Sequence, residues 1–188
     1  MTAPARTRTR IERPWRGVVV PLVVFPLLGV LGGVVWAWWA DPATFTVARR
    51  QTFMGEEQLG RLFAVEADYA VVGLVGGFVV AAGLGGWLRW SGWRLVIGVL
   101  AGSGLAALVS YRVGVAVGPG DLAAAAEAAA PGDAVPQPYE VQTPGLFFCW
   151  TLGALAGLVV VVWLLDRDRV DRDRPDLAGS PPGEPASG

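Results

Sequence analysis

Four long apolar segments divide this chain, and each contains two glycines four positions apart: Gly29 and Gly33, Gly73 and Gly77, Gly98 and Gly102, Gly153 and Gly157. Runs of about twenty apolar residues match the length a helix needs to cross a hydrocarbon core of about 30 Å. The chain is therefore predicted to be an all-α membrane protein, a four-helix transmembrane bundle. Glycines four apart share one helix face and let backbones approach closely where lipid supplies no hydrophobic force between helices. These eight glycines are predicted helix-packing positions. The pattern does not say whether the partner is another span of this chain or another subunit.

The spans occupy about half of the 188 residues, which leaves no room for a second soluble domain. All fifteen basic residues are arginine, so lysine and histidine chemistry is absent. The single cysteine, Cys149, can form neither an intramolecular disulfide nor a metal site by itself, and reads as a small packing residue near the start of the fourth span.

Residues 1–16 form a basic arm carrying Arg6, Arg8, Arg10, Arg13 and Arg16. The first span, Gly17 to Trp39, follows it. A signal peptide would also begin with a basic arm and an apolar run, but this run is long and ends in Trp36, Trp38 and Trp39 rather than a small-residue cleavage site. Pro21 lies in the first turn; Pro26 is deeper and frees the carbonyl of Leu22, bending the helix. In the first loop, Thr44 to Val47 and Thr52 to Met54 have strand character and suggest a short β-hairpin, and Glu56 to Phe63 reads as an amphipathic helix feeding the second span. That span, about 69–89, is separated from the third, about 94–117, by a turn so short that the two form an antiparallel hairpin, the firmest contact in the prediction. In the second loop, Asp121 caps an alanine-rich helix ended by Pro131 and Gly132, and Tyr139 to Gln142 suggest an added extended strand. The fourth span is about 145–165, and residues 166–188 read as a disordered tail.

Basic flanks are retained on the cytoplasmic side. The arm carries five arginines, the turn between spans two and three has Arg89 and Arg94, and the tail has Arg167, Arg169, Arg172 and Arg174. The first loop has three and the second none. Both termini are thus expected in the cytoplasm and both loops outside. Tryptophans agree, since indoles settle at interfaces: Trp15, Trp87, Trp90, Trp93 and Trp163 at the inner level, Trp36, Trp38, Trp39 and Trp150 at the outer.

Several local motifs point to a family. Val35-Trp36-Ala37-Trp38, the acidic and aromatic segment Glu57 to Asp68, Tyr111-Arg112-Val113-Gly114, Gly118-Pro119-Gly120-Asp121 and Thr143-Pro144-Gly145 resemble an actinobacterial domain-of-unknown-function family, number 2567, of small four-span membrane proteins. The resemblance covers Gly17 to Leu165. It departs at Arg49-Arg50, where an Asp-Gly turn is expected. It implies a plasma-membrane protein of uncharacterised role and supplies no catalytic residue.

Glu56, Glu57, Glu66 and Asp68 cluster in the first loop, but nothing completes an acid–base or metal site, and a solvated helix face is the simpler reading. Arg49 and Arg50 read as a solvated hairpin turn rather than a lipid-headgroup site. Arg112, the one arginine inside an apolar run, is expected to snorkel or to pair externally with Glu66 or Asp68. No catalytic residue, cofactor, metal or nucleic-acid site is predicted. The expected partners are the lipid bilayer and either another membrane protein or a second copy. The spans offer near their midplane only Ser103 and, nearer their ends, Ser110 and Thr151, too little for transport of a polar solute. This favours a structural or accessory component of a cell-envelope complex, with a small transporter or oligomeric channel as the alternative; an external enzyme ranks third, because loops under thirty residues are small for a pocket.

Overall fold

The computed structural model describes residues 15–48, 51–53, 56–130 and 132–172. Its helices are α1 (Arg16–Trp39), α2 (Glu56–Trp87), α3 (Trp93–Val117), α4 (Leu122–Ala128) and α5 (Phe148–Arg172), and its strands are β1 (Thr44–Ala48), β2 (Gln51–Phe53) and β3 (Ala134–Pro136). Helices α1, α2, α3 and α5 are long and apolar enough to cross a membrane. Most of their large apolar side chains face outward: Leu27, Val79, Leu108 and Val159 are all more than half exposed. An outward apolar surface of this extent is stable in lipid and not in water.

The glycines decide how the helices pair. An added Cβ at Gly98 would meet the carbonyl of Gly17, at Gly102 that of Pro21, at Gly29 that of Ala106 and at Gly33 that of Ser110. Position along α1 and position along α3 rise together, so these two helices run parallel. The same holds for the second pair: Gly77 lies against the Trp150 carbonyl, Gly153 against that of Leu74 and Gly157 against that of Phe78. Helices α1 with α3, and α2 with α5, therefore form two parallel pairs whose backbones touch. Pro21 contributes by subtraction. Its ring leaves the Gly17 carbonyl without its helical donor, and that carbonyl faces Gly98.

The expected α2–α3 hairpin pairing is corrected by this arrangement. The two helices are joined through a 3₁₀ turn at Arg89–Ser91 and Gly92, whose φ of 57° falls in the region glycine enters without a Cβ penalty. Beyond the turn they make few contacts, and α1 and α5 take their glycine faces instead. A short connection fixes only where two helix ends lie. Close approach along their length needs small residues on the facing sides.

At the opposite end, both loops fold together. Strand β1 pairs antiparallel with β2 (Thr46 with Phe53) and with β3 (Thr44 with Pro136), giving the order β2-β1-β3. The hairpin lies where predicted, though its Arg49-Arg50 turn is outside the described residues. The added strand comes earlier than Tyr139 to Gln142. It ends at Pro136, after which the Gln137 N–H still donates to the Ala43 carbonyl at 2.8 Å. Because the sheet joins the first loop to the second, both must lie at the same end of the bundle, called here the loop end.

Two helices exceed their predicted lengths. The amphipathic segment and second span form one helix, α2, of 32 residues. At 1.5 Å per residue that is about 48 Å, so its first turns stand beyond a hydrocarbon core. Helix α5 runs on to Arg172, so residues 166–172, expected to be disordered, continue the span; adding turns to an existing helix avoids the cost of nucleation. The basic arm before Trp15 and the tail beyond Arg172 lie outside the described residues.

Candidate functional site

The polar residues buried among the described spans are Ser103 and Ser110, both fully covered. The Ser103 hydroxyl reaches the Leu100 carbonyl at 3.1 Å and the Thr151 hydroxyl at 3.1 Å, tying α3 to α5. Ser110 Oγ has no partner. Mid-membrane polarity is thus used for local bonding between helices.

All eight predicted glycines lie where a side chain would meet a neighbouring helix, Gly73 by contact with the Trp150 indole and the other seven by contact with backbone. Trp150 is 1% exposed and sits in a cradle of Gly32, Gly73, Gly76 and Gly77. Trp36 is fully buried, against Gly114. Both were expected at the outer interfacial level; they lie toward the loop end of their helices, but with their indoles turned into the bundle. The reason is helical spacing: Trp36 follows Gly29 by seven residues and Trp150 precedes Gly157 by seven, so each indole lies on the glycine face of its helix. Trp38 and Trp39, on other faces, are 87% and 62% exposed.

Around Trp36 the loop end is fastened by aromatic side chains that reach backbone carbonyls. The Trp36 indole N–H donates to the Val65 carbonyl at 2.9 Å, and the Tyr69 hydroxyl to the Ala107 carbonyl at 2.8 Å. The Tyr139 hydroxyl donates to the Ala40 carbonyl at 2.9 Å, with that of Ala37 at 3.2 Å. The last carbonyls of a helix lack intrahelical donors, so Tyr139, from the second loop, caps α1. The rings of Tyr69 and Tyr139 lie 5.1 and 5.2 Å from Trp36, and Phe147 lies 5.8 Å from Tyr69 in an edge arrangement. Burial pushes the Tyr139 phenol above the ordinary tyrosine range, and the charges of Asp41 and Asp68 push it further.

Glu66 completes the fastening. Its carboxylate accepts from the Gln142 N–H at 2.6 Å, the Thr143 N–H at 3.2 Å and the Thr143 hydroxyl at 2.9 Å. These charge-assisted bonds hold the segment entering α5 against α2. The expected pairing of Arg112 with Glu66 or Asp68 is not formed. Arg112 is exposed on α3, two residues from Ser110 and Gly114, which face α1, and its side chain makes no ion pair among the described residues. Among the described residues, Arg61 finds a carboxylate, 2.6 Å from Asp41. The Glu56 and Glu57 side chains lie outside the described residues.

At the other end, arginines cover exposed indoles: Arg89 on Trp90, Arg94 on Trp93 and Arg167 on Trp163, with centroid distances of 4.8, 5.8 and 3.6 Å. Among the described residues no three His, Cys, Asp or Glu side chains gather in a way that could hold a metal.

A cleft of about 250 Å³ opens at the loop end between the first and second loops. Pro42, Phe63, Pro138 and Tyr139 supply its apolar walls, and Glu66, Gln137, Glu140 and Gln142 its polar groups. Gln137 Oε1 is covered and has no donor. Sequence reasoning missed Gln137, Tyr139 and Glu140; a tyrosine between Pro138 and an acidic residue was the available signal. Compared with family models, curated proteins and solved structures, the chain matches none.

Proposed function

We propose that this chain is a structural or accessory component of a cell-envelope complex in the plasma membrane, with both termini cytoplasmic and the loop end outside. The observation that carries the reading is the way the bundle's interior is filled. Helix backbones touch along two glycine-lined pairs, and the buried polar residues described between the spans are two serines, one of them bonded within the bundle. Transport of a polar solute calls for ionisable or strongly polar groups at mid-membrane depth, lining a path that opens. The bundle instead supports a rigid, fastened cap. The arginines and exposed indoles at the turn end support its placement at the cytoplasmic interface.

The test is capture of the full-length protein from cross-linked membranes in a mild detergent, followed by mass spectrometry and reciprocal capture with any partner as bait. A partner recovered in fixed stoichiometry in both directions is expected. A solitary protein that moves a solute across reconstituted vesicles would overturn the reading in favour of a transporter.

A further inference from the structure

Among the described residues, the lining of the loop-end cleft is unbalanced. It holds the carboxylates of Glu66 and Glu140 and no arginine. The nearest described arginine on α2, Arg61, is engaged with Asp41. Glu66 is partly satisfied by Gln142 and Thr143, whereas Glu140 is exposed at the rim. The walls are rings: Phe63, 73% exposed, with Pro42, Pro138 and Tyr139. The Tyr139 phenol holds its proton under burial and under the charges of Asp41 and Asp68, an independent sign that the local potential is negative.

Acceptors and negative charge above aromatic walls suit a positively charged donor on an apolar stem. Size narrows the class. At about 30 Å³ per water, 250 Å³ holds roughly eight waters, which fits a chain the length of an arginine or lysine side chain. A bare metal ion is not suited, since no three metal-ligating side chains converge among the described residues.

We propose that this cleft binds an organic cation, a guanidinium or primary ammonium on a slender apolar stem. That chemistry is shared by free agmatine and by the arginine side chain of a peptide. The proposal does not rest on the structural role above.

The test is calorimetric titration of the full-length protein in an uncharged maltoside with three probes: agmatine, the tripeptide acetyl-Ala-Arg-Ala-amide, and neutral N-butylurea. Saturable binding of agmatine, of the tripeptide or of both is expected, weakened by added salt, and the stronger of the two identifies the source. Glu140→Gln should weaken it about five- to tenfold, as loss of a charge-assisted contact does; Phe63→Ala should also weaken it. Glu140 makes no bond that holds the fold, so the variant should keep the parent's melting temperature. Failure of both cations to saturate by about 10 mM, equal binding of N-butylurea, or undiminished binding by Glu140→Gln would each overturn the proposal.

Discussion

Replacing single glycines with alanine separates a packing role from a propensity effect, because the structure sorts the glycines into two sets. At Gly102 an added Cβ would lie 2.7 Å from the Pro21 carbonyl oxygen and 3.0 Å from its carbon. Ordinary contact begins near 3.4 Å, so α1 and α3 must part by about 0.7 Å, a gap that forfeits a quarter to a half of each contact's dispersion energy. At Gly77 the obstacles are the Trp150 carbonyl and the Ala154 nitrogen, both backbone and unable to rotate away. At Gly83 and Gly104 a Cβ would meet nothing within 4 Å. Overpacking costs about 1–3 kcal/mol, and alanine returns up to about 1 kcal/mol in helix propensity. Gly77→Ala and Gly102→Ala should therefore lose about 1–2 kcal/mol, while Gly83→Ala and Gly104→Ala should be neutral or gain a few tenths. Reversible unfolding in mixed micelles, followed by circular dichroism, measures all four. If Gly77→Ala and Gly102→Ala are as stable as Gly83→Ala, the close parallel pairing is wrong.

Tyr139→Phe removes the cap on α1 and should cost about 1 kcal/mol near pH 8. The folded state holds the Tyr139 proton more tightly than the unfolded chain, so this stabilisation is complete below the ordinary tyrosine value of 10.0 and is lost as pH rises through the folded value; the gap in melting temperature between parent and variant should narrow above about pH 10. Glu66→Gln should destabilise by about 1–2 kcal/mol and speed hydrogen exchange at the Gln142 and Thr143 amides, because a charged acceptor of three donors becomes a neutral one. Arg112→Ala should change unfolding by less than about 0.5 kcal/mol, as expected of an exposed side chain without an ion pair, and a larger loss would reveal a partner.

Hydropathy made the spans legible because helix length is set by bilayer thickness, and the glycine spacing marked faces of close approach. What spacing omits is the identity of the opposing face. Gly73 and Gly77 look the same whether α3 or α5 covers them, and the short Trp90 to Trp93 connection favoured the wrong neighbour. The interface preference of indoles says nothing of which way Trp36 and Trp150 face; their seven-residue offset from Gly29 and Gly157 turns both into the core. Glu66 was read as part of a solvated helix face or as a partner for Arg112, but its partners proved to be the Gln142 and Thr143 amides and the Thr143 hydroxyl. Amides at Gln142 and Thr143 carry no sequence signature, whereas Arg112 does. The cleft was illegible for a similar reason. Its lining comes from α2 and both loops, and its assembly depends on β1–β3 pairing and on Tyr139 reaching carbonyls at the end of α1.

Both loops are expected together on one side of the membrane and both termini on the other. In a chain with Cys149 replaced by alanine, single cysteines at Ala64, Ser91, Ala126 and Ser187 would be exposed to an impermeant thiol reagent on intact cells. Ala64 is exposed at the first-loop end of α2, and Ala126 is half-buried in α4. Labelling at 64 and 126, with 91 and 187 reacting only after the membrane is opened, is the predicted result. Labelling of 187 from outside, or of only one of 64 and 126, would contradict it.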